Sequence, residues 1–120
     1  MSAPSPTLSL DEFRAQARKL QQARKQARAN YEAYRQEEAE ADRDYRIVKA
    51  TALAEHRAAG MTGDQAKIQA EADCAPQKLK RDLANAKAKG ALLRVEELEA
   101  DKAVLRSIAD WSQRIDGVAA

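Results

Sequence analysis

The stretch Leu10–Ala59, LDEFRAQARKLQQARKQARANYEAYRQEEAEADRDYRIVKATALAEHRAA, decides the fold. From Leu10 the steps alternate between three and four residues, through Phe13, Ala17, Leu20, Arg24, Ala27, Tyr31, Tyr34, Glu38, Ala41, Tyr45, Val48, Ala52, Glu55 and Ala59. Only Arg24, Glu38 and Glu55 in that series are neither apolar nor aromatic. The alternation keeps one seam on one side of a helix and asks for a helical partner. At 1.5 Å per residue the helix would span about 75 Å.

Both ends of the stretch are punctuated. Ser9 and Glu12 have capping-box spacing, and Leu8 and Phe13 have that of a hydrophobic staple. Gly60 is placed to end the helix in the left-handed conformation. Thr62 and Gln65 form a second capping box, so a new helix starts at once. A turn confined to residues 60–63 lays the two helices antiparallel. The second arm is expected over residues 63–116, with Gly117 as its terminator and a kink or brief break near Pro76. The sequence therefore predicts an all-α protein, a long antiparallel helical hairpin or coiled coil. Its single domain covers residues 9–117, and residues 1–8 form a disordered tail.

Composition agrees. The chain has 120 residues, of which 33% are charged, with 4 Gly and 3 Pro. That mix suits long helices. The net charge of +2 is close to balance. A lone cysteine, Cys74, excludes an internal disulfide. No apolar run approaches the ~18 residues of a membrane span, and the first residues lack the basic and apolar regions of a signal peptide. The expectation is a cytoplasmic protein with no membrane contact.

Charge is arranged in blocks. Residues 14–28 are basic, 32–44 mainly acidic, 78–89 mainly basic and 96–101 acidic. Pairing residues whose numbers add up to about 122 sets basic against acidic in both halves. A wrong register would set like against like. The same pairing puts Tyr31 and Tyr34 opposite Ala88, Gly90 and Ala91, large against small.

The second arm carries two apolar faces. One runs through Leu79, Leu83, Ala86, Gly90, Leu93, Ala100, Val104, Ser107 and Trp111. This stripe is expected to close against the first helix. Leu92, Val95, Leu98, Leu105 and Ile108 lie off it and are the expected protein interface, with a homo-oligomer, favoured as a dimer, as the partner. The basic residues Arg14, Arg18, Lys19, Lys25 and Arg28 are the alternative, a nucleic-acid contact through phosphates. Tyr31, Tyr34 and Tyr45 would serve either as stacking platforms or as seam filling, and their seam phase favours filling.

Little points to chemistry. His56 has no partner at metal-ligand spacing, and Cys74 reads as a small buried thiol. There is no P-loop, dinucleotide fingerprint or zinc spacing. The expectation is a non-catalytic protein without cofactor or metal.

The segment from Tyr45 to Ile115 resembles small helical proteins of unknown function encoded in bacteriophage and prophage genomes. The resemblance is carried by K-A-x-A-L-x-x-x-R-A-x-G over Lys49 to Gly60, M-T-x-x-x-A over Met61 to Ala66, A-E-A-D before the break, and L-R-S at Leu105 to Ser107. It implies an accessory role near replication or recombination, inhibition of a host system, or virion assembly. It carries over no catalytic residue.

Overall fold

The computed structural model describes residues 9–119, with side chains described through Ile115. The expected tail and the Leu8 half of the staple lie outside the described residues. Among those described, the chain is all-helical: α1 spans Leu10–Ala58, α2 Gly63–Asp73 and α3 Ala75–Ala119.

Each boundary has a local cause. Glu12 N–H donates to Ser9 Oγ at 3.2 Å, and Ser9 N–H donates to Glu12 Oε2 at 3.4 Å, closing the capping box. At the other end of α1, Gly60 takes φ 94°. Its N–H reaches the Arg57 carbonyl at 3.1 Å, and Met61 N–H reaches that of His56 at 3.2 Å. This is the Schellman pattern, which a glycine without Cβ adopts at least cost. Thr62 then caps α2, accepting from Gln65 N–H at 3.3 Å.

The interruption near Pro76 is a single residue, Cys74. Proline has no N–H, so the Ala72 carbonyl loses its normal donor four residues on. The Cys74 N–H serves it instead, together with the Ala70 carbonyl. Lys78 N–H donates to the Cys74 carbonyl at 2.9 Å, so the helical ladder resumes at once. Gly117 does not end the last helix, which continues to Ala119. Glycine stops a helix by adopting positive φ, and among the described residues only Gly60 does so.

The chain divides into two compact units. One holds described residues 9–29 and 92–119, the other Asn30–Ala91. The Asn30–Ala91 unit has an alanine core: Ala41, Ala52, Ala66, Ala70, Ala84 and Ala88 are buried with Tyr45 and Cys74. Small side chains bury little area each, but they let helix backbones approach closely. Along α1, Glu38 meets Asn85, Tyr45 meets Arg81 and His56 meets Asp73, so partner numbers fall as those of α1 rise. In the unit of the chain ends, Ala27 and Leu98 are buried. Phe13, Ala17 and Leu20 of α1, and Val95, Leu105 and Ile108 of α3, are half-buried.

Candidate interaction surface

The α1 seam is where its period puts it. Every seam position from Phe13 to Ala52 is buried or half-buried, while Leu10, Glu55 and Ala59 at its ends are exposed. Tyr45 is buried, and Tyr31 and Tyr34 are half-buried. Their rings act as fillers with cations at their faces: Arg81 lies 4.4 Å from the Tyr45 centroid and Arg35 lies 5.8 Å from that of Tyr31.

On α3 the two faces are exchanged relative to expectation. The stripe expected to close on α1 is open to solvent: Leu93 is 64% exposed, Leu79 61%, Val104 59%, Leu83 56% and Trp111 47%. Leu98, expected at an outer interface, is 4% exposed. Val95, Leu105 and Ile108 are half-buried on the inner side with it, and Leu92 alone of the expected interface is exposed, at 38%. Gly90, expected beneath the tyrosines, is exposed, with open space where a Cβ would stand.

The reason is steric. In the Asn30–Ala91 unit the inner face of α3 runs through Arg81, Ala84, Ala88 and Ala91, small residues with one flat guanidinium. These fit against an α1 seam already filled by tyrosines. A stripe of leucines would hold the helices further apart and forfeit contact. Asn85 and Arg81 edge the small face with polar groups that α1 satisfies. Asn85 Nδ2 donates to Glu38 Oε2 at 3.3 Å.

The charge blocks fare differently in the two units. In the unit of the chain ends, Arg24 and Arg28 both reach Glu99 Oε1, at 2.7 and 2.9 Å. The hydrogen bond from Arg24 holds the Glu99 carboxyl below the usual carboxylate range, and Arg28 adds to it. Glu97 pairs with Arg94 on its own helix. Arg14, Arg18, Lys19 and Lys25 are exposed and make no ion pair among the described residues. In the Asn30–Ala91 unit, Glu37, Glu40 and Asp44 face Lys80 and Lys87 across an open groove. The blocks oppose each other there as expected, but no ion pair closes between them.

His56 does have a partner. Its Nε2 lies 2.5 Å from Asp73 Oδ2, and Gln69 Nε2 donates to Asp73 Oδ1 at 3.1 Å. The His56 hydrogen bond, followed by that of Gln69, lowers the Asp73 pKa. Seventeen residues separate His56 from Asp73, a pairing that helical spacing could not reveal and only the turn creates. Cys74 is fully buried, its thiol 3.6 Å from the Glu71 carbonyl.

No protein-family model, curated protein or solved structure matches the chain. Among the described residues no group of three His, Cys, Asp or Glu side chains is placed to hold a metal. No helix there is long and apolar enough to cross a membrane. The outward face of α3 carries exposed apolar residues at heptad spacing. Single exposed leucines are ordinary, but apolar residues recurring at heptad spacing on one helix face are the pattern of a helix interface.

Proposed function

We propose that this chain is a non-catalytic, self-associating helical interaction protein. In this reading it is an antiparallel hairpin with α1 as one arm and α2 with α3, bent at Cys74, as the other. The outward face of α3 takes the partner. One observation carries the reading: Leu79, Leu83, Leu93, Val104 and Trp111 share a heptad stripe and all are exposed. Burying that stripe against another helix gains about 25 cal/mol per Å² of apolar surface. The resemblance noted above supports a phage accessory setting, as a replication or recombination accessory, an inhibitor of a host system, or a virion assembly protein. Light scattering at tens of micromolar tests the reading. The wild type is expected to be a dimer and a Leu83→Glu, Leu93→Glu variant a folded monomer. A monomeric wild type overturns it.

A second reading is supported by Arg14, Arg18, Lys19 and Lys25, exposed and without ion pairs among the described residues. It makes the chain a nucleic-acid-binding accessory through phosphate contacts, with Arg28 shared between Glu99 and that surface. Submicromolar DNA binding at about 150 mM salt, lost in an Arg18→Glu, Lys25→Glu variant, would establish it.

A further inference from the structure

Resting on the self-association reading, we infer that the occupant of the outward α3 stripe is the same stripe of a second copy, running antiparallel, with Leu79 opposite the partner's Val104 and Gly90 opposite the partner's Leu93. The flanks of the stripe decide the direction. Lys80, Lys87 and Lys89 border it in the Asn30–Ala91 unit, Lys80 and Lys87 from beside the groove they share with the acidic residues of α1, and Arg94, Glu96 and Asp101 border it in the other. Lys80, Lys89, Glu96 and Asp101 are exposed and make no ion pair among the described residues. Two copies side by side in parallel would set Glu96 near the partner's Asp101 and Lys89 near its Arg94, like against like, with Asp82 and the partner's Lys87 as the unlike pair they leave. Antiparallel copies set basic flank against acidic flank.

The register follows from the same residues. With Leu79 opposite Val104, Leu83 falls opposite Ala100, and the exposed backbone of Gly90 receives Leu93. Lys80 then flanks Asp101 and Lys89 flanks Glu96, each twice by symmetry. One like pair, Lys87 with Arg94, is left over. A slip of one heptad in one direction puts Leu79 on Glu97 and Lys87 on its own copy. A slip in the other direction puts Leu93 on Glu97 and Glu96 on its own copy. A slip of two heptads, with Leu93 on Val104, pairs Arg94 with Asp101 but sets Leu83 on Arg114. The chosen register alone sets every leucine of the stripe on an apolar residue or Gly90 and sets both Lys80 and Lys89 beside acidic residues.

Cysteine cross-linking tests this in the full chain with the buried Cys74 replaced by alanine. Leu79→Cys and Val104→Cys are made singly, and both substitutions are at exposed positions. Disulfides need Cα atoms within about 7 Å, so linkage reports register closely. Under a mild oxidant the equimolar mixture is expected to link, and each variant alone is not. A Glu96→Lys, Asp101→Lys variant is expected to raise the dimer dissociation constant about tenfold, four flanking pairs being reversed, and adding Lys80→Glu and Lys89→Glu restores it. Linkage of Leu79→Cys to itself means a parallel pair and overturns the inference. Linkage of a Leu93→Cys, Val104→Cys mixture in place of the first overturns the register. A dimer by light scattering that links in none of these overturns the α3 pairing while leaving self-association standing. A wild-type monomer removes both.

Discussion

The two units solve the same packing problem with different means. The Asn30–Ala91 unit holds eight of the ten buried apolar residues described, six of them alanine. There α2 and the start of α3 close on α1 beside the turn, and His56, Asp73 and Gln69 tie that end together. Among its described residues the unit of the chain ends fully buries only Ala27 and Leu98, and there Glu99 pairs with two arginines. Beside that pairing a groove of about 400 Å³ stays open between Phe13 and Leu20 on one side and Leu105 and Ala109 on the other. Close helix approach comes from small residues. Where larger ones alternate with charged ones, the pair stays looser.

That contrast can be broken by mutation. Tyr45→Ala removes the one large side chain of the alanine core and the ring under Arg81, and should cost about 3 kcal/mol in urea unfolding. Leu98→Ala should cost less, about 2 kcal/mol, because an open site relaxes or admits water more readily. If Leu98→Ala proves the more damaging, the looser unit is not loose.

Enlargement is the sharper probe. Ala70 is fully buried, and Ala70→Leu should destabilise by about 2 kcal/mol through overpacking. Ala27→Leu, in the other unit, should cost under about 1 kcal/mol on the same scale. Equal costs would mean both units are packed alike.

Acid should act on both units with one sign. Glu99 and Asp73 have folded pKa values below their ordinary ones, held there first by Arg24 and by His56 respectively. Such groups contribute stability fully above the unfolded carboxylate range of about 4, and lose it as pH falls through the folded value. Glu99→Gln should therefore be less stable than wild type at pH 7, and the gap should close as pH drops below about 4, read as urea midpoints across pH. A gap that is independent of pH would remove the ion pair as its cause. Smallest of all, Leu83→Glu should leave the unfolding of the dissociated chain within about 0.5 kcal/mol of wild type, since it touches only an exposed face.

The fold class, the α1 seam and the turn were legible because each depends on neighbours in the chain. The alternation from Phe13 to Ala52 fixes one face of one helix. The caps at Ser9, Gly60 and Thr62 are hydrogen bonds spanning three to five residues. Period and capping are local physics, and twenty residues suffice to state them. The face that α3 turns inward was not legible. Both of its faces are apolar, and the richer one looks like the better seam when hydrophobicity alone is weighed. The choice is made by complementarity with α1, remote in the chain, where Tyr45 already fills the space beneath Arg81. Small residues at Ala84 and Ala88 let the backbones close, and Arg81 and Asn85 find partners on α1. The sequence by itself thus determined the helices, their ends and the seam of α1. Only the tertiary structure decided which leucines of α3 are core and which stay exposed, because steric fit between two surfaces is a property of neither one alone.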